Sequence, residues 1–329
     1  MNFEITRNVV PQVTLKEYMD NWLKLTKMPT LKPTSYDRLE QTAKYQIYPE
    51  LGDKPLNDIS TDEIQRLIND IALTRSHSTA KKAYNYLTAC LKNAVLRGVI
   101  AANPADLVVM PRKVTAKAVT TYTPEQISSI VAEAAKTYKN GNFRHRYGYA
   151  IILLLNTGLR VGELLYLKWI DVDLEKRQFY VHGNVVSVKE RSDSGKTSYK
   201  LIEQDTPKTS KSVRYVPLND NALFALEKLK ANMCSSNRVI ATKSGSIVSG
   251  RKIYQTMEDV LRRCEIYNRA DIIHALRHTF ATALITQGVD IKVVSEILGH
   301  SDVATTIKIY YHTIEAQRHN AVAHLQNIY

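Results

Sequence analysis

Apolar residues recur at intervals of three and four along the first hundred residues, which predicts a series of amphipathic helices. Thr14 and Glu17 fit a capping box, in which each side chain bonds the other residue's backbone N–H at a helix start. The apolar positions that follow are Leu15, Tyr18, Met19, Trp22 and Leu23. A second helix is predicted over Ser35–Tyr48, and Leu51-Gly52 ends that unit.

Two further helices are predicted before residue 100. Ser60 and Glu63 form a second capping box, and the helix that they open runs to about Ile71. The next helix covers Ser78–Leu96 and is ended by Gly98, because glycine is favoured just after a helix C-terminus. Its apolar face carries Tyr84, Leu87, Leu91 and Val95.

The pattern changes in the segment NPADLVVMPRKVTAKAVTTY, residues 103–122. This segment has two prolines, several basic residues and β-branched residues without a clear period, which predicts an extended interdomain linker. Thr123 then fits a helix N-cap, with Pro124 at the first helical position and Gln126 completing a capping pair.

The second half of the chain predicts a mixed domain. Short helices are predicted over Tyr149–Asn156, which Gly158 closes, and over Arg160–Lys168. Val, Tyr and Ile enrichment predicts strands over Gln178–Val188, Tyr199–Thr206 and Val213–Pro217. The turn PKTSKS at residues 207–212 is predicted to join the last two strands as a hairpin, and helices follow from Asn219 to the end. The predicted fold class is mostly α with a small antiparallel β-sheet in the second domain.

Length and composition limit the class of protein. A chain of 329 residues with 44% hydrophobic residues is long enough for two domains with their own cores. No apolar run of about 18 residues occurs, and the N-terminus MNFEITRNVVPQ lacks a signal peptide's apolar stretch, so we expect a cytoplasmic protein. Cys90, Cys234 and Cys264 form no CxxC pair, which argues against a disulfide framework or zinc site and predicts three buried thiols.

The charge is strongly basic and unevenly placed. The net charge is +13, but the first 110 residues hold 14 basic and 12 acidic residues, so most of the excess lies further along the chain. A positive surface attracts phosphate backbones through counterion release. Charge alone favours nucleic-acid binding and a merely basic soluble protein about equally.

Several polar groups in the second half each have an ordinary structural explanation when taken singly. Arg160 and Glu163 lie three apart on one side of a short helix, so they fit a surface ion pair of little energetic value. Lys208 lies in the turn TPKTSKS, where a solvated lysine is common.

The histidines are open to two interpretations. His274 and Arg277 share one helix face, and a capping histidine with a surface arginine explains them about as well as a chemical role. The other side of that helix carries Leu276, Phe280 and Ala283. His300 follows Gly299, a natural C-cap, so it is pinned at a tight corner where a structural histidine is slightly favoured.

The adjacent tyrosines are ambiguous as well. On a helix through Val303, Ile307 and Ile314, Tyr310 falls near the middle of the apolar stripe and Tyr311 toward its edge. As packing, this makes Tyr310 a core residue. As chemistry, it points Tyr310 inward, toward the place where the basic groups would have to converge.

Taken together, these groups are those needed for nucleophilic attack on a phosphodiester without a metal ion. Arginine forks can hold the nonbridging oxygens of the transition state, and tyrosine can form a covalent phosphoester. A lysine or histidine can protonate the leaving oxygen. The sequence has no HExxH or acidic cluster for a metal and no GxxxxGK loop for ATP, so we expect no cofactor.

The order Arg…Lys…HxxR…H…Tyr resembles that of the tyrosine recombinases, the phage-integrase family. TGLRVGEL resembles the family's first arginine box, and TPKTSKSVRYVPL resembles its lysine hairpin. HALRHTFATALITQGVDIKVVSEILGHSDVATTIKIYYH resembles the second box almost throughout. The likeness covers about residues 12–315 and is nearest to integrases of phages and conjugative transposons.

The resemblance implies catalytic roles for six residues. Arg160 and Arg277 would clamp the scissile phosphate, and Lys208 would protonate the leaving 5′ oxygen. His274 would assist proton transfer, and His300 would hydrogen-bond a nonbridging oxygen.

The sixth residue is the nucleophile, and two more support the set. The pattern Tyr-x-His matches the family nucleophile to Tyr310, with Tyr311 as a flanking residue. Glu163 matches an acidic position that orients Arg160, and His278 matches a supporting histidine.

The resemblance also implies an architecture, a two-domain C-shaped DNA clamp of the tyrosine recombinase type. Residues 1–11 would be an N-terminal extension, 12–102 a helical core-binding domain of SAM-like type, 103–122 the linker and 123–313 the catalytic domain. Residues 314–329 would form a helix exchanged between protomers, with packing on its own domain as the alternative. The dozen residues before Thr14 are too few for the arm-binding domain of many such integrases, which is either lacking or trimmed.

The implied activity is site-specific recombination of double-stranded DNA for integration and excision of a phage or mobile element in a bacterial host. A homotetramer on paired sites is implied, with an excisionase or host DNA-bending factor as accessory partner. Two alternatives stay open: a type IB topoisomerase-like enzyme that only relaxes DNA, and a DNA-binding protein with a vestigial catalytic set. The core-binding domain argues against the first, and the completeness of the six residues against the second.

Lys208, rather than Lys211, is predicted to be the general acid. A 5′-bridging phosphorothiolate has a leaving group that needs no proton, so it should restore cleavage by Lys208→Ala, measured as covalent protein–DNA product. Rescue of Lys211→Ala alone would show that the assignment is wrong.

Overall fold

The computed structural model describes residues 13–113, 120–191, 198–205, 213–232, 236–267 and 271–311. The chain divides into two compact units. The first comprises Met1–Lys117 with Val188–Tyr199, and the second comprises Ala118–Ser187 with Lys200–Tyr329. Lys208, Lys211, Cys234 and the expected terminal helix at residues 314–329 lie outside the described residues.

The first unit is helical. Its α-helices are α1 (Leu15–Trp22), α2 (Pro33–Thr42), α3 (Tyr48–Leu51), α4 (Thr61–Thr74) and α5 (His77–Leu96). A 3-10 turn covers Leu56–Asp58, and wider π turns cover Leu23–Lys27 and Ala43–Ile47. Both predicted capping boxes are formed, at Thr14 with Glu17 and at Ser60 with Glu63.

The second predicted helix differs from a single run over Ser35–Tyr48. It begins earlier, at Pro33, and passes through the wide turn Ala43–Ile47 into the short helix α3. Pro49, the second residue of α3, has no backbone N–H to donate to the preceding turn, so the regular ladder is interrupted just before it.

The core of the first unit is built from the predicted apolar faces. Leu87 and Leu91 of α5 are fully buried, while Tyr84 and Val95 are partly buried against the same core. Its largest fully buried side chains include Leu15, Met19, Ile47, Ile64 and Ile68. The thiol of Cys90 is fully buried among them, as predicted, whereas Cys264 in the second unit is only partly buried, which corrects the prediction for that cysteine.

The residues after α5 also pack in this unit. Ala105 and Val108 are buried in its core, and the Gln65 side chain bonds both the N–H and the carbonyl of Val109, at 2.8 and 2.9 Å. Residues 188–191 and 198–199 belong to the same unit: the buried carboxylate of Asp37 accepts the N–H of Lys189 at 2.8 Å.

The second unit combines helices with short strands. Its helices are α6 (Pro124–Ala134), α7 (Gly148–Thr157), α8 (Val161–Tyr166), α9 (Asp220–Asn232), α10 (Gly250–Arg263), α11 (Ile272–Thr286) and α12 (Ile291–Leu298). Residues 303–311 are also helical. Helix α7 is apolar on all sides and packs against α6, α9, α10 and α11, which makes it the centre of the unit.

The strands correct one prediction. The run Gln178–Val188 is not one strand but two, β2 (Gln178–Val181) and β3 (Asn184–Glu190). Gly183 lies at the break, where an added Cβ would come within 2.5 Å of the Tyr166 ring. The other strands are β1 (Val172–Asp173), β4 (Ser198–Gln204) and β5 (Arg214–Pro217).

Because the run is broken, its two halves have different partners. Strand β2 lies between β1 and β5, antiparallel to both, whereas β3 pairs with β4. The prediction that β4 and β5 form a hairpin is therefore wrong for the described strands, since each pairs elsewhere.

The predicted fold class, mostly α with small antiparallel sheet, is confirmed. In the described residues, no helix is both long and apolar enough to cross a bilayer.

Candidate active site

The first arginine is placed by a glycine turn. Helix α7 ends at Gly158, whose φ is 62° and whose added Cβ would come within 2.6 Å of the Phe280 ring, so only glycine fits. The turn leaves Arg160 as the N-cap of α8. Its backbone N–H and its Nη1 each donate to one Glu163 carboxylate oxygen, both at 2.9 Å. The Arg160 side chain remains 38% exposed.

Glu163 is buried, and a second arginine holds it. Arg214, on β5, donates from Nη2 to Oε2 of Glu163 at 3.0 Å and from Nη1 to Oε1 at 3.3 Å. Burial raises the pKa of Glu163, but the charges of Arg214 and Arg160 outweigh burial and hold that pKa below its usual value. Glu163 is therefore an anion in the folded protein.

Arg214 was missed by sequence reasoning. The available signal was an arginine directly after the lysine turn, in VRYVPL, on a strand whose neighbours Tyr215 and Pro217 are exposed. Alternation places Arg214 on the same inward face as Val216, so period two indicated a buried arginine but did not identify its partner.

Arg277 lies deeper than predicted. We expected it on the polar face of its helix, but it is only 4% exposed, while Ala283, expected in the core stripe, is exposed. Its Nη1 donates to the Gly158 carbonyl and its Nη2 to the Leu298 carbonyl, both at 2.7 Å. These two hydrogen bonds offset the cost of removing the guanidinium from water. Helical periodicity did not predict the burial of Arg277, because both acceptors belong to other segments of the chain.

Burial and the nearby charge of Arg160 lower the pKa of Arg277 to about 9. At neutral pH the group is still mainly cationic.

The turn after α12 places His300. Gly299 has a φ of 66°, and the carbonyls of Ile297, Leu298 and Gly299 all accept from arginines. His300 Nδ1 lies 2.7 Å from Oγ1 of the fully buried Thr306. Burial, together with Arg277 and Arg160, lowers the pKa of His300 to about 4, so its imidazole is neutral at pH 7.

Tyr310 faces inward. It is 3% exposed and packs with Ala281, Ile285, Val294 and Leu298, and its hydroxyl lies 2.9 Å from Nδ1 of His278. Burial raises the pKa of Tyr310 to about 12, although Arg277 acts in the opposite direction. Burial, with His274 and Arg277, lowers the pKa of His278 to about 4.

The predicted contrast between the tyrosines is confirmed, since Tyr311 is 43% exposed. The expected apolar stripe is only partly correct. Ile307 is 43% exposed, and the buried position one turn before Tyr310 is Thr306. The hydroxyl of Thr306 is buried because it bonds His300, a partner that hydropathy cannot reveal.

His274 lies at the edge of this cluster. Its ring is about half exposed, its Nδ1 is 3.3 Å from Oδ2 of Asp271, and its ring centroid is 6.1 Å from that of His278. The structure thus joins Arg160, Glu163 and Arg277 through direct contacts or shared carbonyls, and His278 contacts Tyr310. His300 and Tyr310 lie close enough to Arg277 for its charge to act on both. The described residues include no group of three or more acidic, His or Cys side chains arranged to hold a metal.

Comparison with known proteins identifies relatives over most of the chain. Residues 120–317 match the model of the Phage integrase family, and residues 14–72 match that of the phage integrase N-terminal SAM-like domain. A tyrosine recombinase XerC-like protein of Caldanaerobacter subterraneus subsp. tengcongensis is 33% identical, covering 96% of this chain and 84% of that protein. The integrase of Staphylococcus phage L54a is 25% identical, covering 92% and 90%.

Solved structures share the fold. The Tn1549 transposon integrase in complex with transposon right end DNA has a TM-score of 0.73 at 21% identity, covering 94% of this chain and 100% of that one. A lambda integrase dimer bound to a core site has a TM-score of 0.65 at 20% identity, covering 90% and 95%.

The neutral state of His300 generates a pH prediction. The unfolded chain takes up a proton at this histidine near pH 6.5, whereas the folded protein does so only near pH 4. Stability should therefore be lost as pH falls from about 6.5 to 4, and His300→Asn should reduce that loss. Urea unfolding at pH 7 and 4.5, with an NMR titration of the ring, measures both. A His300 pKa at or above 6.5 in the folded protein would contradict this account.

Proposed function

This chain belongs to the phage integrase family, and we propose that it is a site-specific DNA recombinase that integrates and excises a mobile element. Strands would be cut and rejoined through a 3′-phosphotyrosine link. The observation that carries the proposal is a buried tyrosine hydroxyl beside a cluster of arginines and neutral histidines. The relatives are recombinases and integrases, which favours strand exchange over simple relaxation or vestigial DNA binding.

Arg160 and Arg277 are the proposed clamp for the scissile phosphate. The transition state carries negative charge on its nonbridging oxygens, and guanidinium forks stabilise such charge best where water is excluded. Each terminal nitrogen of Arg277 carries a second N–H besides the one given to a carbonyl, and Arg160 is 38% exposed. Together they can supply donors to two oxygens.

His300 is proposed to donate to a nonbridging oxygen. A neutral imidazole carries one N–H, and its position is set by the partner of the other nitrogen. When the Thr306 hydroxyl donates to Nδ1, the proton is held on Nε2, which can then point at the phosphate. The low pKa of His300 supports this neutral form.

Tyr310 is the proposed nucleophile. Its hydroxyl proton passes to a neighbouring histidine as Oη attacks phosphorus and the bond from phosphorus to the 5′ oxygen breaks, and Lys208 gives the leaving oxygen a proton. His274, at the edge of the cluster, would assist proton transfer. A 5′ hydroxyl from a partner strand then attacks the phosphotyrosine, so the ester bond energy is conserved and neither ATP nor a metal is needed.

The assembly proposed here follows the family pattern. Residues 12–102 and 123–313 would close on double-stranded DNA as a clamp, with 103–122 as linker and 314–329 docking on a neighbouring protomer. Solved lambda integrase structures include a tetramer bound to a Holliday junction, which supports a tetramer on paired sites here. An excisionase or a host DNA-bending factor would set direction.

Tyr310→Phe should bind DNA normally and form no covalent adduct, because it loses one oxygen and little packing. Tyr311→Phe is the matched control and should still form the adduct, since Tyr311 is 43% exposed. A nicked suicide substrate traps the adduct, and peptide mapping locates it. A phosphotyrosine mapped to Tyr311 would overturn the assignment.

Cleavage should persist in excess EDTA, because the arginines supply the charge stabilisation that a metal ion provides in other phosphoryl-transfer sites. The same trapped adduct is the measurement. Activity that is lost with EDTA and restored only by Mg²⁺ would count against this mechanism.

A further inference from the structure

We propose that Arg214 is a positioning residue for strand cleavage, acting through Glu163 and through the turn before His300. It would keep Arg160 available to the scissile phosphate without touching the DNA itself. The inference rests on the proposed function and names a residue outside the set that the family resemblance supplied.

The first support is the shared carboxylate. Glu163 is 7% exposed, and both its oxygens accept from both Arg160 and Arg214. A buried carboxylate must be compensated by cations or strong donors. With two arginines present, Arg160 does not have to provide that compensation alone.

Loss of Arg214 would change this balance. The buried charge of Glu163 would then rest on Arg160, which would be drawn toward Glu163 and away from solvent. A guanidinium held by a carboxylate is a poorer ligand for phosphate, because its donors and its charge are already engaged. Arg214 therefore acts on cleavage through the state of Arg160.

The second support is the turn that carries His300. Arg214 Nε donates to the Ile297 carbonyl at 2.5 Å, and an added Cβ on Gly299 would come within 2.7 Å of Arg214 Nη1. The guanidinium is thus packed under the turn as well as bonded to it. Its removal would loosen the backbone that sets the direction of the His300 ring.

Direct DNA contact is a poor explanation for Arg214. Its side chain is 7% exposed, compared with 38% for Arg160, and its Nε and both terminal nitrogens donate to protein oxygens. An effect on cleavage should therefore come without loss of DNA affinity.

The experiment measures the rate of covalent adduct formation at saturating suicide substrate, and separately the Kd for DNA. Arg214→Met should slow adduct formation about 10²-fold, the size expected for misplaced catalytic groups. Its Kd should stay within about threefold, because a buried arginine neutralises no phosphate. Arg214→Lys, which keeps the charge but loses the fork, should fall between Arg214→Met and wild type.

A second substitution separates positioning from general damage. If Glu163 draws Arg160 toward itself when Arg214 is lost, then adding Glu163→Gln to the Arg214→Met protein should raise its rate of adduct formation at least about tenfold. The reason is that no uncompensated carboxylate remains. Simple loss of packing would not be rescued in this way. Arg177→Met, which removes a surface ion pair with Asp220, is the matched control and should cleave like wild type.

The outcomes separate the two proposals. Wild-type rates in Arg214→Met, or no rescue by Glu163→Gln, would overturn the role of Arg214 while leaving the recombinase proposal intact. If the wild-type protein forms no adduct, the proposed function fails. In that case, amide hydrogen exchange measured without DNA tests whether Arg214 holds the turn before His300. Faster exchange at residues 297–300 in Arg214→Met than in wild type supports that role, and unchanged exchange rejects it.

Discussion

The candidate site depends on how three guanidinium groups are accommodated around one carboxylate. Arg277 and Arg214 are almost fully buried, Arg160 is partly exposed, and Glu163 is the anion that two of them share. Like charges this close repel, and burial removes the water that would screen them. The pKa of Arg277 is lowered as a result, by burial first and then by the charge of Arg160.

Backbone carbonyl oxygens compensate much of the arginine charge that Glu163 does not. Gly158 and residues 297–299 offer four carbonyl oxygens to the three arginines, from the ends of two helices. The C-terminal end of a helix carries unpaired carbonyls and a partial negative charge, so both groups gain from the contact. The two glycines are needed because each has a positive φ and lies against a side chain that a Cβ would overlap.

Much of this arrangement could be predicted from the sequence, and the reasons for success and failure are physical. Capping at Thr14 and Ser60 is a local property, so the chain alone shows it. The inward direction of Tyr310 followed from helical spacing. The burial of Arg277 did not, because hydropathy ranks residues by type, whereas a guanidinium is buried by its partners.

Strand pairing failed for a related reason. The run 178–188 has uniform strand composition, and its division at Gly183 depends on the Tyr166 ring, which comes from α8. Arg214 and Thr306 were overlooked because their roles exist only through contacts with Glu163 and His300. Family resemblance supplied the residues proposed to act on substrate, with Glu163 and His278 as supports, but it did not identify Arg214 or Thr306.

The electrostatics of the cluster also indicate what it binds. Burial and positive potential together lower the pKa values of His300 and Arg277, and the same positive potential attracts an anion. Binding is reciprocal, so a phosphate placed among these groups raises both pKa values and favours the charged arginine. Burial works against the phenolate of Tyr310, and the charge of Arg277 works for it. In the proposed mechanism, the buried hydroxyl is thus unreactive by itself, and its reactivity depends on the cationic groups that would hold the phosphate beside it.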